Sequence, residues 1–584
     1  MLAAMIGIFL SFFLIMAVLI GIATYSLEGS KETAISPNSV LRLTFDKNIL
    51  DRSPNNPFEN FDFSSFSPDR SLGLNEILEN IDKAKTDENI KGIFLELSSI
   101  PAGYATVGEI RKALEIFKKE SGKFIIAYSE LLSQKGFYLA SVADQLYLNP
   151  EGYIEFFGLS ANIPFFKGAL EKLDIEPQII RHGKFKSAVE PFLLDKMSEE
   201  NREQTEKYIN SIWNQLTSEV AVSRNISVEA LNLIADSLLV DNAEQAVLHK
   251  LADSLMFKDE VLADLRERLS IGEKTKINFV NIGKYNDVIT SEKTKKITGG
   301  LNRLAVIYAQ GGIVSGDGED DEIGSEKISK AIRKARLDNK VKAIVLRVNS
   351  GGGSALASDV ILREIALAKK VKPVVVSMGD VAASGGYYIA CAADTIVANS
   401  NTITGSIGVF GLLFNAQNFF KNKLGITFDV ANSNAYSDIG NPMRPLTGKE
   451  RKVIQKEVER IYDVFITHVS KGRNLTKEQV DSIGQGRVWS GLDAKKIGLV
   501  DVLGGLQDAI DIAAGMAKLK DYRILELPGR KEPLEQILSE ITGEAEETMV
   551  KHSLGDNYKH YKQLKRIEKM EGIQAVIPYD IELR

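Results

Sequence analysis

PVVVSMGDVAASGGYYIACAA (373–393) is the stretch on which the fold of this chain turns. The β-branched run PVVVSM (373–378) predicts a buried strand, and the Ala-rich, apolar YYIACAA (387–393) predicts a helix. Ser384 stands at the junction, flanked by Ala and Gly. Small neighbours let a substrate carbonyl come close. A hydroxyl at a helix N-terminus also meets free backbone N–H groups and the positive end of the macrodipole, which favour an attacking alkoxide and the oxyanion it produces. The same residues suit a plain Ser N-cap in a Gly-rich turn, so the choice rests on the rest of the chain.

Outward from that junction, strands and helices alternate. KGIFLEL (91–97) predicts a strand, TVGEIRKALEIFKK (106–119) an amphipathic helix and KFIIAY (123–128) a strand. VKAIVLRV (341–348), the helix after SALAS, and PVVVSM repeat that order. Such alternation means parallel sheet with crossover helices. Three pairs of segments keep a nearly constant spacing: GIFLELSS (92–99) with AIVLRVNS (343–350), KGFYLASVAD (135–144) with GGYYIACAAD (385–394), and NISVEALNLI (225–234) with NLTKEQVDSI (474–483). The period far exceeds that of solenoid repeats, so the chain holds one domain twice. The polar KYNDVITSEKTKKITGG (284–300) is the natural joint between the copies.

The duplication supplies an internal control. Gln134 falls opposite Ser384 and Lys135 opposite Gly385, so the first copy lacks the hydroxyl and the glycine after it. NSGGGSA (349–355) faces SSIPAGY (98–104). Three glycines after a strand can turn backbone N–H groups toward a ligand without Cβ hindrance. Gly352 or Gly353, with Gly385, therefore suits an oxyanion hole, although a tight turn would use the same residues.

Composition narrows the classes. The 584 residues suffice for two full cores, and 44% apolar and 26% charged residues are those of an ordinary globular protein. A net charge of −6 gives no reason to expect nucleic acid. The single cysteine, Cys391, excludes an intramolecular disulfide and reads as a buried small hydrophobe. The five histidines make no metal-ligand spacing, so no metal is expected. Residues 1–27 carry no charged side chain and are long enough to span a bilayer. Without a clear basic start or small-residue cleavage site they read as an uncleaved anchor. The flanking Glu28, Lys31 and Glu32 leave its orientation open. Residues 28–72, with NNPFENFDFSSFSP at their centre, read as a linker. A charged tail containing KHYKQLKRIEKMEG reads as a solvated helix.

A serine nucleophile needs a base, and no histidine lies in either glycine-bearing segment. A lysine can serve if desolvation brings its pKa from about 10.4 to roughly 7–8, at a cost of about 4 kcal/mol. Dozens of lysines compete on these grounds. Lys184 and Lys186 in RHGKFKSAVEPF (181–192) stand out mildly, and His182 is a competing base there. The second copy reads NSNAYSDIGNPM (432–443) at the matching place, with Ser437 opposite Lys186.

GDVAASGGYYIA (379–390), RVNSGGGSALAS (347–358), TITGSIGVFG (402–411), KFKSAVEPF (184–192) and GRVWSGLDAKKIGLVD (486–501) together resemble the long, two-domain form of the signal peptide peptidase A (protease IV) family, over roughly residues 70–520. The resemblance implies an α/β chain of two tandem crotonase/Clp-protease-like domains, built from duplicated β-β-α units behind an N-terminal transmembrane helix. The expected divisions are an anchor at 1–27, a linker at 28–72, a lysine-supplying domain at 73–290, a serine-supplying domain at 291–525 and a charged tail at 526–584. By the same resemblance Ser384 is the nucleophile and Lys186 the general base; Gly352, Gly353 and Gly385 stay the candidates for the oxyanion hole, and Ser406 in TGSIG suits either a hydrogen bond to the lysine or a plain turn. The family's short form keeps its lysine where this chain has Ser437, so each copy supplies what the other lacks. Gly351 departs from the family's usual Pro and loosens the loop in the unfolded chain. The implied activity is degradation of released signal peptides, without cofactor, by a homotetrameric bowl on the periplasmic side of the inner membrane. Two other classes suit parts of the sequence: a crotonase-type acyl-CoA enzyme, which uses similar oxyanion glycines, and a non-enzymatic membrane scaffold. If residues 1–27 are the sole anchor, a chain beginning at Ser30 will be soluble; its recovery in the membrane fraction would contradict that reading.

Overall fold

The structure is a computed structural model that describes residues 35–53, 61–62, 67–68, 72–288, 302–529 and 573–577, with single positions at 7, 9 and 561. Apart from those single positions, the apolar run 1–27 and the charged segment 559–572 lie outside the described residues. Among the described residues no helix is long and apolar enough to cross a membrane.

Each half builds one sheet, and six parallel strands in each follow the same order. In the first the order is Ser254–Leu255, Gln145–Ile154, Phe124–Leu132, Ile90–Glu96, Ser39–Leu43, Asn278–Asn281. In the second the matching strands are Val502–Leu503, Thr395–Ala398, Val374–Ala383, Val341–Ser350, Arg303–Gln310, Arg523–Leu527, and two more complete the sheet: Ile403–Gly405, parallel to the end of Val374–Ala383, and Val488–Ser490, antiparallel to Ile403–Gly405. The strands read as near-continuous apolar runs because helices cover both faces; the first six residues of Val374–Ala383 are all buried. The copies also share a 26-residue helix, Glu199–Arg224 and Gly448–Arg473. Both helices end on an asparagine in the left-handed region, Asn225 and Asn474, a conformation Asn tolerates better than most residues.

Three expected boundaries move. Strand Ser39–Leu43 is fully integrated in the first sheet, so the stretch taken as linker (28–72) contributes to the core. The last strand of the second sheet runs through Leu527, past the expected end at 525. Residues 573–576, expected within a charged tail, form a buried strand. Hydrophobic content explains the last case: IQAVI (573–577) is the apolar exception in a charged segment.

That tail strand belongs to a third sheet, ordered Glu322–Gly324, Gly312–Val314, Gly352–Ser354, Ile573–Val576, Phe410–Asn415, Glu176–Arg181. It takes short strands that follow the long ones in the second half, giving the β-β-α order of Val341–Ser350, Gly352–Ser354 and helix Ala355–Lys369. In the first half Ile90–Glu96 passes straight to helix Tyr104–Ser121 with no short strand between. The β-β-α unit is thus realised in the second copy, where glycines permit the extra strand. Glu176–Arg181 comes from the first half yet pairs antiparallel with all six residues of Phe410–Asn415. The chain just after it, 182–192, is thereby carried onto the second half.

A buried ion cluster ties the halves elsewhere. Arg347, fully buried, donates to Asp51 at 2.7 Å, Glu109 at 2.7 Å and Ser377 at 2.8 Å. Glu109 also accepts from Leu506 N–H at 2.7 Å. Beside it Asp380 accepts from Thr106 N–H and Thr106 Oγ1, at 2.9 and 2.6 Å. Removing one partner of such a cluster leaves uncompensated buried charge, at about 3–5 kcal/mol. Arg347→Ala should therefore lower the urea unfolding midpoint clearly. Arg347→Lys should not restore it, since one ammonium cannot reproduce the forked contacts. An unchanged midpoint in Arg347→Ala would show that the cluster does not hold the halves together.

Candidate active site

Ser384 ends strand Val374–Ala383 and begins helix Gly385–Ala390. Its φ of 55° and ψ of −114° are unusual for a residue with a side chain and cost of order 1–3 kcal/mol. The conformation is held from both sides: Ser384 N–H donates to Gly405 O and Tyr388 N–H donates to Ser384 O, each at 2.8 Å. The hydroxyl makes no cap hydrogen bond to its helix. It points instead at Lys186, with Oγ 2.8 Å from Nζ, and lies 3.4 Å from Gly408 O. The plain N-cap is therefore not what this serine does.

Lys186 reaches that position because residues 183–187 are pinned to the second half. Phe185 N–H donates to Gln485 O at 3.1 Å. Gly486, at φ +86°, packs so close that a Cβ there would sit 2.6 Å from Lys186 Cα. The Gln204 side chain donates to Phe185 O at 3.2 Å and Ser187 Oγ at 2.9 Å and accepts from Val488 N–H at 3.1 Å. The lysine side chain is 1% exposed. Its Nζ also lies 3.1 Å from Ser406 Oγ, and Ser406 is itself held at φ 50°. Among the described residues no carboxylate pairs with it. Burial alone pushes its pKa down to about 7, because the low-dielectric site disfavours the ammonium.

The two glycine segments meet beside this pair. Gly352 has φ +99°, and a Cβ on it would come within 2.7 Å of Gly385 N. Gly385 is the first residue of its helix, so its N–H has no intrahelical partner. Gly352 N–H is already engaged by Ser350 Oγ at 3.0 Å, which removes it from the expected oxyanion donors. Gly353, in register with Ile313 on one side and Ala575 on the other, remains.

Several candidates lie apart. The His182 ring is stacked on Tyr462 at 4.0 Å. Lys184 is exposed. Ser437 is exposed in a loop, where its hydroxyl donates to Asn434 O. Cys391 is fully buried, donates to Tyr388 O, and burial pushes its thiol up to about 12, the behaviour of a small hydrophobe. In the first copy the corresponding space is plugged. Gln134 accepts from Phe157 N–H and Gly158 N–H and donates to Gly158 O, all at 3.0 Å, while Lys135 covers Ala102 O at 2.9 Å. Gln204, Gly408 and Gly486 were not anticipated as site residues. Gly408 and Gly486 stand inside quoted motifs, whereas nothing in the spacing of Gln204 marks it.

Residues 117–272 and 366–520 match peptidase family S49. Protease 4 of Salmonella typhi is 40% identical over 479 residues, which is 80% of this chain and 76% of that protein. Protease 4 of Haemophilus influenzae is 36% identical over 525 residues, 87% of this chain and 83% of that one. The chloroplastic serine protease SPPA of Arabidopsis thaliana is 36% identical over 482 residues, 80% and 70% respectively. With both copies matched and these relatives aligned over most of its length, the chain belongs to peptidase family S49, among the serine proteases related to signal peptide peptidase A.

Proposed function

We propose that this chain is a membrane-anchored endopeptidase with a serine–lysine dyad that degrades released signal peptides, and that its halves are crotonase/Clp-protease-like domains assembled as a homotetramer. The observation that carries the catalytic part is the 2.8 Å approach of Lys186 Nζ to Ser384 Oγ in a site where the lysine is buried and, among the described residues, without a carboxylate. A neutral amine there accepts the Ser384 hydroxyl proton as Oγ attacks the peptide carbonyl carbon. The N–H groups of Gly353 and Gly385 then face the oxyanion, in surroundings where such donors act strongly. Lys186 returns the proton to the leaving amine, and water, activated by the same lysine, hydrolyses the acyl-enzyme ester. Ser406 is a positioning residue: its hydroxyl fixes Nζ toward Ser384. Membrane attachment and the periplasmic side rest on the apolar residues 1–27 and the family resemblance. Signal peptides as substrates rest on the resemblance alone.

Ser384→Ala and Lys186→Ala should each reduce peptide hydrolysis roughly 10⁴-fold or more, and the double variant scarcely further, because such residues act as one unit. Lys184→Ala should stay within a few-fold of the wild type. An active Lys186→Ala beside an inactive His182→Ala would assign the base to histidine.

The neutral lysine is the working form, so kcat/KM should rise with pH and level off above about 7. Stability follows the same group. Its folded pKa is depressed, so between about 7 and the ordinary lysine value the unfolded chain binds more protons and stability rises with pH. Lys186→Met should thus be more stable than the wild type at pH 6–7, with the gain shrinking toward pH 10. A variant less stable than the wild type at pH 6 would mean that burial does not strain this lysine.

A further inference from the structure

Beside Lys186 lies a small cavity lined by the lysine itself and by Ser187, Gln204, Thr205, Ser406 and Gly486. Its space is close to that of a single water. The lining is polar, and its hydrogen bonds do not close. Gln204 is fully engaged: its amide donates to Phe185 O, Ser187 Oγ and Asn201 Oδ1 and accepts from Val488 N–H. Ser187 Oγ accepts from Gln204 at 2.9 Å, but its own proton meets no acceptor among the described residues. Ser406 Oγ accepts from Lys186 Nζ at 3.1 Å, and its proton is likewise unclaimed among those residues. The Thr205 hydroxyl reaches Asn201 Oδ1 only at 3.5 Å, the outer edge of a hydrogen bond, and that oxygen already accepts from Gln204 at 3.1 Å. Ser187, Thr205 and Ser406 are at most 5% exposed. Buried hydroxyls normally find partners, and one water with two to four polar neighbours is the usual means in a polar cavity of this size.

We propose that this cavity seats the water that hydrolyses the acyl-enzyme, and that the Ser187 hydroxyl aims it. The inference deepens the serine–lysine reading and rests on it. Once Ser384 is acylated, its Oγ is an ester oxygen with no proton to offer Nζ. Lys186 has passed the serine's proton to the leaving amine, so its lone pair is free again. In the cavity the water accepts from Ser187 and Ser406 and donates one proton to Nζ. The contact from Ser406 gives way as that lone pair of the water bonds to the ester carbonyl carbon, while Nζ takes the proton. The C–Oγ bond then breaks, Nζ returns the proton to Ser384 Oγ, and the peptide leaves as a carboxylic acid that ionises in solvent. Ser187 thus acts in the second half of the reaction and not in the first. Gln204 sets its direction by occupying one side of Oγ, which leaves the hydroxyl proton to turn toward the cavity.

Stopped-flow hydrolysis of a peptide p-nitrophenyl ester by the full chain tests this, because nitrophenol release reports acylation as a burst and deacylation as the steady rate that follows. Ser187→Ala should keep the burst rate and kcat/KM of the wild type, while kcat and KM fall together roughly 10-fold or more, as lost positioning of a reactant does. The acyl adduct on Ser384 should build up in its intact-mass spectrum. Ser187→Thr, which keeps the hydroxyl, should stay within a few-fold of the wild type. The burst amplitude counts folded sites, so a poorly folding variant does not mimic the effect. A kcat/KM that falls in step with kcat would place Ser187 in the first half of the reaction. An unchanged kcat without build-up of the adduct would bring the water by another route. Either result would overturn the proposal and leave the peptidase reading standing. A wild type that releases no more nitrophenol than Ser384→Ala would overturn both.

Discussion

Removal of one lysine ammonium from water is the constraint on which the rest depends. Lys186 is buried with hydroxyl and carbonyl oxygens for company and, among the described residues, no carboxylate. Its pKa near 7 reflects a folded state that tolerates a cost of several kcal/mol. Isolating a charge this way requires walls on every side, and those walls come from both halves. The arm 182–192 is brought by the first, while the loop at Gly486, the turn at Ser406 and the Ser384 helix are brought by the second. Serine strain has the same origin. A φ of 55° at Ser384 persists because Gly405 and Tyr388 fix both of its peptide groups, and the reward is a hydroxyl aimed away from its own helix.

The duplicated fold makes that enclosure possible. Two sheets whose six parallel strands run in the same order give each half its own core, so segments between the sheets are free to specialise. In the second half, glycines after Val341–Ser350 form the short strand that a peptide can pair with. In the first half, the matching place has no strand, and Gln134 and Lys135 occupy the space with hydrogen bonds to the backbone. The first half supplies instead a strand, Glu176–Arg181, that crosses to the third sheet and carries the lysine with it. The Arg347 cluster joins the halves on the second half's long sheet, on the strand Val341–Ser350 that leads into the glycine loop.

Much of this was legible in the sequence. Continuous apolar runs such as AIVLRV and VVVSM marked buried parallel strands, and the spacing of GIFLELSS from AIVLRVNS marked the duplication. Ser384 stands out at a strand-to-helix junction between small residues, and Gln134 in its place in the other copy favours function over a plain cap. Lys186 was a different matter: its local context barely separates it from Lys184, and only the family resemblance pointed to it. The reason is physical, since burial is a property of the surrounding walls, and much of this wall, Ser384, Ser406 and Gly486, stands about 200 residues or more away in the chain. Other features were hidden for similar reasons. Gly352 looks like an oxyanion donor until Ser350 is seen to take its N–H. Residues 39–43 sit among polar, Pro-rich neighbours, and 573–577 sit in a charged tail; in each case a strand of four or five residues is specified by its partner strands more than by itself.

The most direct test of the account is the proton affinity of Lys186 itself. In Ser384→Ala protein with isotope-labelled lysines, nuclear magnetic resonance can follow each side-chain amine through its titration. The account predicts one lysine titrating near pH 7, with that signal missing when Lys186→Met is added. Lysines that all titrate above pH 9 would contradict it, because an ammonium kept charged through neutral pH cannot take the serine's proton.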